Sequence, residues 1–180
     1  MRGDRARGVA QDGGVRRSLL AAALAASLLA ACRRDALPEP IDLSLPQAVT
    51  AEPYSFAAKR GGPVVIFFFA TWCVLCQAME PAVAEAAHRG RAEGIEVVAV
   101  ALDLEGRRIV APYVLASRPP YPVLLGGPRV ASGRSPLGHI PRLPAVLILD
   151  SSGRPAWSFS GLADADFILE RAREVGGRWP

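Results

Sequence analysis

Cys73 and Cys76 stand three residues apart in the run Trp72, Cys73, Val74, Leu75, Cys76, and that spacing on one helical turn allows two thiols to close a disulfide. The first of the pair falls where a strand ends and a helix begins, so backbone N–H groups at the helix start favour its thiolate. Cys73 is therefore the candidate nucleophile and Cys76, one turn inside the helix, the candidate resolving thiol. Zinc is the competing use of paired cysteines. A lone CxxC supplies only two ligands, the third and last cysteine is far away at Cys32, and His88 and His139 stand at no recognisable ligand spacing. A purely structural disulfide would close four residues and remove little unfolded-chain entropy.

These thiols need elements to position them. The 180 residues are 51% hydrophobic and 21% charged, within the range of a compact domain and outside that of a disordered chain. Val64, Val65, Ile66, Phe67, Phe68 and Phe69 form an unbroken apolar run, which reads as a strand buried on both faces. An alanine-rich helix is expected over residues 73–87, kinked at Pro81 and ended by Gly90 and Gly94. A second buried strand follows over 95–102, then a weaker helix over 104–116 that Pro112 would bend or shorten. Strands over 121–125, 145–149 and 155–160, the last two joined by a hairpin, precede a final helix over 163–175. Strand, helix, strand, helix implies a parallel core, and the closing hairpin adds antiparallel strands.

The N-terminus accounts for most of the net charge of +4. Five arginines and two aspartates lie in residues 1–31, which leaves +1 for the remainder and no electrostatic case for nucleic acid. Arg16 and Arg17 precede an apolar run over 19–31 that ends at Cys32, the pattern of a secretory signal peptide and shorter than the roughly 20 residues of a membrane-spanning helix. Leu29, Ala30, Ala31 and Cys32 resemble the lipobox of bacterial lipoproteins, which implies cleavage before Cys32 and a lipid on its thiol. The expected organisation is a lipoprotein signal peptide over 1–31, an extended tether over 32–46 carrying Pro38, Pro40 and Pro46, and one domain over 47–180.

From Phe68 to Cys76 the chain resembles the strand and active-site signature of the thioredoxin-fold thiol–disulfide oxidoreductases, and within them the TlpA/ResA-like membrane-tethered reductases. The resemblance covers residues 46–175. It implies a thioredoxin fold, a central mixed β-sheet flanked by helices, with the CxxC at the N-terminus of the first core helix. Ile140, Pro141, Arg142, Leu143, Pro144 and Ala145 are similar to the family's cis-proline loop, which implies substrate docking at Leu143 and Pro144, with Trp72 extending an apolar rim. It further implies cysteine-containing protein substrates, such as apo-cytochromes, an upstream membrane electron donor, an extracytoplasmic location and no organic cofactor.

Two positions depart from that pattern. Phe67 stands where thioredoxins carry a buried Asp and many relatives an Asn, so no side chain there accepts the Cys76 proton. Glu80, at i+4 from Cys76, is within reach along the helix but is expected to be an exposed surface carboxylate. Val74 and Leu75 occupy the places between the cysteines where a Pro is common. A Cu(I)-binding chaperone using the same two soft thiolates is the alternative function, with His139 the distant ligand to test. Peroxide reduction ranks last, because the Thr-x-x-Cys arrangement of peroxiredoxins is missing around Cys73.

Overall fold

The structure, a computed structural model, describes residues 38–177. The expected signal peptide and lipobox, with Cys32, therefore lie outside the described residues.

Five strands make the central sheet: β3 (Val64–Phe69), β4 (Glu96–Ala101), β5 (Val123–Leu125), β6 (Ala145–Leu149) and β7 (Pro155–Ser160), in the order β5-β4-β3-β6-β7. β3, β4 and β5 run parallel, whereas β6 and β7 pair antiparallel, so the sheet is mixed as expected. Every residue of the central strand β3 is buried, which is why its sequence is continuously apolar. The edge strand β7 alternates instead between more and less exposed positions.

Two apolar layers cover the sheet. On one face Val65, Phe67 and Phe69 pack with Met79 and Val83 of α1 (Val74–Gly90), Val110 of α2 (Arg107–Ser117), and Ile168 and Leu169 of α4 (Ala165–Gly176). On the other, Val64, Ile66 and Phe68 meet Leu45 of β1 (Ser44–Pro46), Tyr54 of β2 (Pro53–Ser55), Val130 of the short helix α3 (Gly127–Ala131), and Ile41.

That second layer corrects the expected tether. Ile41 is buried with its N–H donating to the Gly153 carbonyl, and β1 pairs with β2, so residues 41–46 are part of the domain. Prolines make the segment read as spacer, and a strand three residues long that ends at Pro46, opposite Pro53, has no periodicity to detect. α3 escaped for the same reason of length.

Helix boundaries shift by a few residues. α1 runs on to Gly90, and Gly94, at φ 72°, closes the following 3-10 turn Arg91–Glu93 in the left-handed region. α2 starts three residues later than expected, after Gly106, and continues through Pro112 to Ser117. Asp164 caps α4 by accepting from the Phe167 N–H at 2.8 Å.

Candidate active site

Three chain segments converge at one end of the sheet. The first leaves β3 at Phe69 and turns at Ala70, whose carbonyl accepts the Cys73 N–H at 3.0 Å. Cys73 is extended (φ −84°, ψ 100°) and is the N-cap of α1, with its sulfur accepting from the Cys76 N–H at 3.2 Å. Its carbonyl accepts from Cys76 and Gln77 at 3.0 and 3.1 Å. The sulfur thus sits where unpaired helix-start N–H groups lower the energy of negative charge.

Cys73 and Cys76 are joined as a disulfide across a Cα separation of 5.2 Å. Cys73 retains 8% of its surface and Cys76 none. Cys73 is thus nearly enclosed, but of the two residues it alone keeps any surface for an incoming molecule to meet, and Met79 and Ala70 belong to the same buried cluster.

The second segment is the turn before β6. Its Leu143–Pro144 peptide bond is cis, and Pro144 is buried. Ala145 pairs with Phe68, the penultimate residue of β3, so this turn emerges at the end of the sheet from which the CxxC loop departs. The Pro144 carbonyl accepts from Gly161 at 2.9 Å, and Leu143, half-buried, packs against both apolar layers.

The third segment follows β4. Asp103 is 2% exposed and accepts from the Thr71 N–H with both carboxylate oxygens, at 3.2 and 3.1 Å, and from the Thr71 hydroxyl at 2.5 Å. Gln77 donates its side-chain amide to the Thr71 carbonyl at 2.8 Å. Thr71 is thereby held from the sheet and from the helix at once. Neither Asp103 nor Thr71 was singled out from sequence, and the one signal was an Asp ending an apolar strand.

An apolar collar surrounds the disulfide. Trp72 is 71% exposed, Val74 74% and Leu75 54%, and Leu104, next to Asp103, is exposed as well. Trp72 does not pack into the core; it stands open beside the thiols.

In the buried layer that also holds Cys76, Phe67 stacks on Phe69 at 5.7 Å and Phe69 leans on Tyr113 at 6.0 Å. Neither phenylalanine ring can accept a proton. Glu80 corrects the expectation of an exposed carboxylate. It is half-buried and accepts from the Tyr113 hydroxyl at 2.6 Å, and burial pushes its pKa up against the lowering effect of that bond. Its hydrogen bond goes to α2 rather than back to Cys76. His88 is exposed at the last turn of α1. His139 is exposed in the loop before Pro144, lining a cavity of about 240 Å³ with Phe68, Ala145 and Leu147 on the sheet face away from α1.

A thioredoxin fold with a CxxC disulfide at the start of its first core helix is the architecture of a thiol–disulfide oxidoreductase, and comparison with known proteins agrees. The chain belongs to the AhpC/TSA family, which matches residues 38–154. Among solved structures it is similar to a thiol:disulfide interchange protein of the thioredoxin family from Chlorobium tepidum, with 27% identity and a TM-score of 0.62 over 77% of this chain and 98% of that one. A secreted Mycobacterium tuberculosis disulfide oxidoreductase homologous to E. coli DsbE shares the fold at 18% identity (TM-score 0.59; 74% and 96% covered). So does a secreted thiol–disulfide isomerase from Corynebacterium glutamicum at 19% (TM-score 0.66; 77% and 84% covered). No curated protein matches the chain.

Proposed function

We propose that the protein is a TlpA/ResA-like reductant of disulfides in partner proteins, working outside the cytoplasm and held at a membrane by a lipid on Cys32. The observation that carries the reading is the inequality of the two cysteines, Cys73 at the helix start with a remnant of exposed surface, Cys76 fully enclosed. The secreted relatives and the signal-peptide pattern before Cys32 support the location. Among the described residues no helix is long and apolar enough to cross a membrane.

In the reduced protein the Cys73 thiolate attacks one sulfur of a partner disulfide. A Cys73–partner disulfide forms, and the partner's other sulfur leaves as a thiolate that takes up a proton. Cys76 then loses its proton and attacks the Cys73 sulfur, which expels the partner's second thiolate and regenerates the Cys73–Cys76 disulfide. Two electrons have passed to the partner, the Cys76 proton has gone with them, and an upstream membrane donor must return the electrons. Leu143 and Pro144 lie at the sheet end where the partner chain would dock, and Trp72 widens the apolar landing area. Proteins with paired cysteines awaiting haem or copper are the substrate class the resemblance suggests.

Val74 and Leu75 add no charge or hydrogen bond that would hold the Cys73 thiolate unusually low. The couple should therefore lie nearer thioredoxin, at about −270 mV, than a strong oxidant at about −120 mV. A redox titration decides the direction. A midpoint above roughly −170 mV would make the protein a disulfide donor instead.

A further inference from the structure

Asp103 is the one buried charged side chain among the described residues, and the exchange steps above do not use it. Its partners are the N–H and the hydroxyl of a single residue, Thr71, and it takes part in none of the ion pairs among the described residues. Neutral donors hold its oxygens without cancelling its charge. That charge reaches as far as the Tyr113 hydroxyl. The phenol pKa of Tyr113 is pushed up first by burial, then by the bond and charge of Glu80, and further by Asp103.

Thr71 is two residues before the reactive sulfur, no more than about 8 Å of chain. Its N–H and hydroxyl are tied to Asp103 and its carbonyl to Gln77, so residues 71–73 enter α1 along one fixed path. We infer that Asp103 is a positioning residue for the Cys73–Cys76 couple: it fixes the approach to the helix and places a negative charge behind the nucleophilic sulfur, an inference that rests on the exchange reading above. The sign follows from the charge states. The disulfide carries no charge and the dithiol carries a partial one as thiolate, so a nearby carboxylate disfavours the reduced form and holds the couple at the reducing end. It works against the helix start, which favours the thiolate.

The test measures the full-length protein equilibrated with reduced and oxidised glutathione, together with the pH profile of Cys73 alkylation. Asp103→Asn keeps an oxygen for Thr71 and removes the charge. It should shift the equilibrium toward the dithiol by about tenfold, some 30 mV, and move the alkylation midpoint to lower pH. Thr71→Val keeps the charge and removes a donor that disperses it, so its midpoint should move the other way by about threefold in the ionisation constant, and Thr71→Ser should restore it. If Asp103→Asn does not fold, the Thr71 pair decides alone. Variants that melt earlier but leave both the glutathione equilibrium and the alkylation profile at wild-type values would reduce Asp103 to a structural role and overturn the inference. A wild type with no reversible couple would overturn the exchange reading beneath it as well.

Discussion

Replacing Trp72 with alanine separates docking from chemistry. A tryptophan side chain buries about 150–250 Å² when fully covered, and with 71% of Trp72 exposed roughly 140 Å² remain for a partner to cover. At about 25 cal/mol per Å² that surface is worth up to ~3.5 kcal/mol. A partner approaching from the sulfur side covers about half of it, so the loss should be ~1.7 kcal/mol, or about twentyfold in kcat/KM. Stability should move by less than about 0.5 kcal/mol, because the ring is not part of the core. The assay compares a disulfide-containing protein such as insulin with a small aromatic disulfide that reaches Cys73 without the collar. Trp72→Ala should lose about twentyfold on the protein and less than about threefold on the small molecule. Equal losses on both would show that Trp72 acts on the thiol itself, and no loss on the protein would remove the collar from the account.

Phe67→Ala should destabilise the protein by about 3–5 kcal/mol, since it empties a stacked position in the central strand; urea unfolding with an unchanged slope would report it. Glu80→Gln keeps an acceptor for Tyr113 and removes a carboxyl whose pKa in the folded protein lies above its ordinary 4.5. The native state binds that proton more tightly than the unfolded chain, so wild-type stability falls as pH climbs through the window above 4.5. Glu80→Gln should therefore gain relative to wild type across that window, by under about 1 kcal/mol given the residue's partial exposure, and a constant difference from pH 4 to 8 would refute the linkage. Cys32→Ala should leave the protein unlabelled by radioactive fatty acid and out of the membrane fraction, whereas unmodified Cys32 in a soluble wild type would remove the anchor.

Much of the redox centre could be read from residue types because its parts are local. The CxxC follows an apolar run that only a central strand explains, and Pro144 directly precedes another such strand. What escaped depends on residues distant in sequence. Thr71 and Asp103 meet because parallel β3 and β4 end side by side, Phe69 beside Ala101, and no periodicity marks that pairing. Glu80 was expected in solvent because a carboxylate on an alanine-rich helix usually lies there. Its burial depends on Tyr113 arriving from α2, a helix whose start was itself misplaced by three residues. The β1–β2 pair was hidden by prolines that read as spacer, although Ile41 and Leu45 fill the layer under Phe68.

The exchange reading is tested most directly by trapping partners in cells that express the full-length protein. With Cys76→Ala, the Cys73–partner disulfide has no resolving thiol and should accumulate as discrete adducts that disappear on reduction; with Cys73→Ala, the enclosed Cys76 should collect few. Equal adducts from both variants, or none from either, would contradict the division of labour between the two sulfurs.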